Sequence, residues 1–266
     1  MTAPVRSRAG ASPRDLLAVF VGGLIGTTLR VLLDLAIVHD LEEFALSTLL
    51  VNLVGAFVLG LLVAALWPRV PGWVRVGLGP GILGSFTTFS ALAVLDRRPG
   101  AGGRCRGRGP VDRAQHRARD DRRLARPRPR FPAHAWRVAR DGGGRRVTLL
   151  VLLAVAVGGA LGAVLRQLTS VILAGRGRIP WGVLVVNVVG SFVAGVALGA
   201  PLDPTVQLII VSGVCGGLTT FSTFAVETIQ LVSEGKHRAA AASVALNLAV
   251  GVPAALLGFA LVALAG

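Results

Sequence analysis

The chain has 266 residues, 53% of them hydrophobic, and a mean hydropathy of +0.69, which excludes an ordinary soluble domain and fits a polypeptide that crosses a bilayer several times. Its formal charge of +15 does not support a nucleic-acid partner, because residues 97–146 hold 17 of the 28 basic residues and 4 of the 13 acidic ones and leave the rest nearly neutral. Two cysteines, Cys105 and Cys215, give no disulfide framework or metal cluster, and no nucleophile–base set points to an enzyme.

Residues 1–15 form a short basic, proline-containing tail that reads as disordered. The first predicted span, 16–38, carries Gly22 and Gly26 at a spacing that lets helices approach closely. It also carries Arg30 and Asp34, four apart and on one face, where they can pair. A polar turn is expected at 39–43. The second span, 46–66, holds Asn52 and Gly55 and ends at Trp67-Pro68, suited to the membrane interface. The third, 74–95, is interrupted at 81–88, where glycines and hydroxyl residues crowd together in poor helix-interior chemistry. Such a break inside a bilayer must be buried in protein or line a polar cavity.

Residues 97–146 are rich in Arg, Pro and Gly and show neither helical nor strand periodicity. Apolar character then returns. A span at 147–173 carries Gly158, Gly162 and Arg166, and one at 181–198 carries Asn187 and Gly190. A third at 206–232 is broken at Gly216-Gly217-Leu218-Thr219-Thr220-Phe221-Ser222-Thr223-Phe224, and a last one at 239–263 carries Asn247 and Pro253. The two halves repeat. Arg30 matches Arg166. Val51-Asn52-Leu53-Val54-Gly55-Ala56-Phe57 matches Val186-Asn187-Val188-Val189-Gly190-Ser191-Phe192. Thr87-Thr88-Phe89-Ser90 matches Thr219-Thr220-Phe221-Ser222. The domains expected are therefore a first repeat at 16–96 with three spans, a linker at 97–146, and a second repeat at 147–266 with four. The first repeat lacks a counterpart to 239–263, and the arginine-rich segment lies in its place. That segment reads as a frame-shifted translation of a lost fourth helix and a second start. A gene whose other frames encode no apolar helix between 96 and 146 would rule this out.

With GGxxGxxxR, VNxxGxF and GGxTTFSTF motifs in order and in both halves, each repeat resembles the Fluc/CrcB family of fluoride channels over roughly 16–95 and 147–264. The resemblance implies an all-α polytopic membrane fold with inverted helical repeats and self-association, either as a homodimer or by pairing of the two repeats. It implies passive export of fluoride across the bacterial inner membrane, and a structural sodium ion between the two broken helices. Carried over by position, sodium falls on Gly84, Thr87, Gly216 and Thr219. The anion pathway falls on Asn52, Phe89, Ser90, Asn187, Phe221, Ser222, Thr223 and Phe224. Arg30 and Arg166 fall in the vestibules. In the first repeat the second phenylalanine position is Leu92.

The chemistry suits the expectation. Fluoride is small and strongly hydrated, so amide and hydroxyl donors must replace its water. Aromatic ring edges add partial positive charge without the full countercharge that would trap an ion. Plainer readings stand beside these. The asparagines can be interhelical glue, the arginines can snorkel to the interface, and the phenylalanines can face lipid. A runner-up function, a proton-coupled small multidrug-type exporter, needs a mid-membrane carboxylate, for which Asp34 and Glu227 are the candidates. A non-conducting remnant is the third. The positive-inside rule places 97–146 in the cytoplasm, so three spans before it and four after would invert one repeat relative to the other.

Overall fold

The computed structural model describes residues 11–37, 41–89, 149–177 and 179–265, and every regular element among them is helical. Helix α1 is Pro13–Ile37. It begins earlier than its apolar run because Ser12 and Asp15 form a capping box. The Ser12 hydroxyl accepts the Asp15 N–H at 3.2 Å, and the Asp15 carboxylate accepts the Ser12 N–H at 3.2 Å. Proline at the first helical position costs nothing there. Helix α2 is Leu41–Ala65, so part of the expected polar turn lies in its first turn, while 38–40 lie outside the described residues. A short 3-10 turn at Trp67–Arg69 follows.

Helix α3, residues 72–86, comprises Gly72–Val76, a π-helical stretch Gly77–Leu83 and a final turn Gly84–Phe86. The chain becomes extended at Thr87, with ψ at 154°. Helix α4 is Leu149–Ile172, and α5 is Trp181–Gly199. Helix α6, residues 204–218, repeats the build of α3: Pro204–Leu208, a π-helical stretch Ile209–Cys215, and Gly216–Leu218. The chain extends again at Thr219, with ψ at 154°. Asp203 caps the start of α6 by accepting the Thr205 N–H at 2.8 Å. Helix α7 is Ser222–Ser233, and α8 is His237–Ala265. Gly235, at φ 72°, makes the left-handed turn between them.

Six helical segments among the described residues are long and apolar enough to cross a membrane. The third span expected from the sequence is described only to Phe89. Within each repeat the first helix packs its glycines onto the third. A side chain at Gly22 or Gly26 would strike the backbone of Gly77 or Ile82, and one at Gly162 would strike that of Val214. Between repeats, α1 and α4 cross on small residues. Gly23 lies on Ala160 and Ala163, and Gly159 lies on Thr27. Gly23 matches Gly159 and Thr27 matches Ala163, so these contacts are reciprocal, the mark of a two-fold relation. The crossing brings the ends of α3 and α6 face to face.

Candidate functional site

Each break comes later than its glycines. Gly84, Gly216 and Gly217 are helical, and the interruption falls on Thr87–Phe89 and Thr219–Phe221. The glycines serve close approach. A Cβ on Gly84 would lie 2.5 Å from the Arg166 guanidinium, one on Gly216 would strike Arg30, and one on Gly217 would strike the Gly159 backbone. The π-helical turns end on these same residues. The Gly84 N–H bonds back to Gly79 and the Gly216 N–H to Val211, each five residues earlier.

An extended residue inside a bilayer leaves backbone groups unpaired unless something answers them. The second helix of each repeat does so. Asn52 donates to the Thr88 carbonyl at 2.9 Å and accepts the Thr88 N–H at 2.9 Å. Asn187 donates to the Thr220 carbonyl at 3.3 Å and accepts the Thr220 N–H at 2.9 Å. Three residues on, Gly55 and Gly190 make room for the methyl groups of Thr87 and Thr219. The VNxxG spacing is thus a clamp, in which an amide pairs the break and a glycine seats it. Asn187 also donates to Asn247 on α8 at 2.9 Å.

The two breaks touch each other. Thr87 and Ser222 share a hydroxyl contact of 2.9 Å, and the Ser222 N–H donates to Thr87 Oγ1 at 3.1 Å. Thr88 and Thr219 hydroxyls lie 3.2 Å apart. Thr220 accepts the Thr223 N–H at 3.2 Å and so caps α7. Phe89 of the first repeat meets Phe224 of the second edge-on, with ring centroids 6.0 Å apart and planes at 68°. Phe221 lies 5.9 Å from Phe224. The expected anion-pathway residues Asn52, Phe89, Asn187, Phe221, Ser222, Thr223 and Phe224 therefore gather at one junction. Ser90 and Leu92 lie outside the described residues.

The arginines lie elsewhere than the sequence suggests. Arg30 and Arg166, expected in vestibules, are 4% and 2% exposed. Each guanidinium crosses to the other repeat's third helix instead. Arg166 donates to the Gly84 carbonyl at 2.8 Å, the Gly217 carbonyl at 2.6 Å and the Thr219 carbonyl at 3.2 Å, and also reaches that of Pro80. Arg30 reaches the Ser212 carbonyl. Asp34 does not direct its hydrogen bond to Arg30 but accepts the Ser47 hydroxyl at 2.7 Å. No motif signals these crossings, because they depend on how the repeats meet.

The arginine geometry bears on sodium. An ion held by Gly84, Thr87, Gly216 and Thr219 would use carbonyl oxygens, and two of those residues, Gly84 and Thr219, already accept from Arg166. Two unit charges about 4 Å apart repel by about 4 kcal/mol even at an effective dielectric of about 20. As arranged, the set does not fit a sodium ion.

A family model described as CrcB-like protein, Camphor Resistance (CrcB), matches residues 17–96 and 153–259. The chain is 44% identical over 117 residues to fluoride-specific ion channel FluC 1 of Yersinia pseudotuberculosis serotype I (strain IP32953), covering 42% of this chain and 92% of that protein. It is 44% identical over 115 residues to FluC 1 of Thermobifida fusca (strain YX), covering 42% and 96%. It is 43% identical over 115 residues to FluC 2 of Natronomonas pharaonis, covering 43% and 97%. Each of these relatives is close to one repeat in length.

Proposed function

We propose that this chain, which belongs to the CrcB family, is a passive fluoride channel of the bacterial plasma membrane that lets fluoride leave the cytoplasm. It is a multi-pass membrane protein, and it carries two repeats where the relatives named above carry one. The observation that carries the reading is the Phe89–Phe224 pair, drawn from two repeats and set beside the Thr87–Ser222 hydroxyl contact. A dehydrated fluoride beside this junction meets ring edges and hydroxyl donors with no full positive charge in contact, a set that binds and still releases. Arg30 and Arg166 raise the local positive potential from behind the helix ends.

The test is fluoride efflux from liposomes holding the purified chain, with chloride as the control ion and Phe224→Ile alongside. Fast fluoride-selective efflux that the substitution removes supports the channel. Efflux that rises and falls with a proton gradient would support an exporter using the buried Asp34 instead. No efflux from folded protein would leave a non-conducting remnant.

A further inference from the structure

The two-fold relation that holds at the breaks fails on the outer side of the second helices. In the second repeat, α8 lies along α5 on backbone-close contacts. A Cβ on Gly195 would strike the Ala255 carbonyl, one on Gly258 would strike that of Phe192, and one on Gly199 would lie 3.2 Å from the Val262 Cβ. Asn187 and Asn247 bond across the same seam at 2.9 Å. The first repeat preserves the α5 side of this interface on α2. Asn52, Phe57 and Gly60 stand where Asn187, Phe192 and Gly195 stand. There, a Cβ on Gly60 meets nothing within 4 Å. Phe57 is 72% exposed, whereas Phe192 is half-buried.

A second observation points the same way. On α8, Gly251 lies against Phe89, whose ring is 1% exposed. The symmetry mate of Phe89 is Phe221, which is only half-buried. A helix on α2 would cover Phe221 as α8 covers Phe89. Within the chain, residues 90–148 contain no apolar run of span length to fill this role.

We propose that the outer face of α2 is a socket for one further transmembrane helix, supplied by another polypeptide and built like α8. Its partner face carries an asparagine and then small residues at the spacing of Asn247, Gly251, Ala255 and Gly258. The helix runs parallel to α2, as α8 runs parallel to α5, and brings its asparagine to Asn52. Lipid is as apolar as the helix, so recognition rests on close small-residue packing and the interhelical amide bond. Gly60 has no other evident use, because a glycine inside a helix costs about 0.5–1 kcal/mol against alanine and is retained where backbones must meet.

The experiment is disulfide trapping in lipid vesicles. The full chain carries Ala64→Cys in a Cys105→Ser background, and the probe is a synthetic peptide of residues 237–265 with Val262→Cys. Ala64 matches Gly199, so the pair falls near the disulfide Cβ spacing of about 3.5–4.5 Å. The expected product is one peptide per chain, lost with Gly60→Leu in the chain and lost equally with Ala255→Phe in the peptide. The peptide variant leaves the chain's folding untouched. Chains trapped to one another in place of peptide would make the face a chain–chain interface and overturn the proposal. Absence of any trapped product would make it a lipid-facing surface and overturn it too. Fluoride efflux, read from the same vesicles, bears on the channel reading alone, and the trapped product stands or falls without it.

Discussion

Asn187 makes three hydrogen bonds from one amide: two to Thr220 and one to Asn247. Replacing it with leucine leaves the Thr220 N–H and carbonyl stranded in a dry junction, a loss of about 2–4 kcal/mol. Asn52→Leu strands Thr88 alone and is expected to cost about 1 kcal/mol less. Chemical unfolding in detergent reads the order, and equal losses would remove any share for Asn247. The role of Arg166 gives a sharper contrast. With its guanidinium on the Gly84 and Thr219 carbonyls, the chain should melt at the same temperature in sodium as in choline. Arg166→Ala frees those oxygens, so the variant should start lower and regain stability as sodium rises, by mass action. Sodium-dependent melting of the unaltered chain would mean that an ion shares the junction after all. The asparagines were readable in the sequence as buried donors because amides are rare in apolar spans. The arginine crossings were not, because each joins residues more than 80 positions apart.

At the scale of elements, the helices were legible from apolar run length, and their ends shifted where local capping intervened, as Ser12 and Asp15 did for α1. The site of the breaks was less legible. Glycines look like helix breakers, yet Gly84, Gly216 and Gly217 stay helical because their missing side chains are what the packing requires. The chain opens at the threonines instead, where hydroxyls and the clamping asparagine can answer the freed backbone. The same logic separates glycines that otherwise look alike. Gly23→Leu drives a side chain into Ala160 at the α1–α4 crossing. Overpacking there should cost about 1–3 kcal/mol and loosen the repeats from each other. Gly60→Leu, in open space, should change stability by no more than about 0.5 kcal/mol, the usual range for an unencumbered surface change. Thermal melts of the two variants side by side would check the contrast, and a Gly60→Leu loss as large as that of Gly23→Leu would place Gly60 in a packed interface.

At the scale of the whole molecule, two repeats in one chain can diverge, which two identical subunits cannot. The reciprocal contacts of α1 and α4 set up two equivalent positions for a phenylalanine pair. One is filled by Phe89 and Phe224, edge to face at 6.0 Å. The other would pair Phe221 with position 92, which is leucine. An aliphatic side chain has no positive ring edge to offer an anion. The first position is also covered by Gly251 of α8, and the second has no such helix among the described residues. The two pathways should therefore contribute unequally. Phe89→Ile and Phe224→Ile should each reduce fluoride efflux by about tenfold or more, the consequence of losing about 1.4 kcal/mol of ring–ion stabilisation at the narrowest point. Phe221→Ile, in the pathway already lacking a ring, should leave most of the efflux intact. Efflux from liposomes holding each variant separates the cases. Equal loss from all three would mean that Phe221 serves the Phe89–Phe224 pathway through its own 5.9 Å contact with Phe224, and that this chain conducts along one line through all three rings.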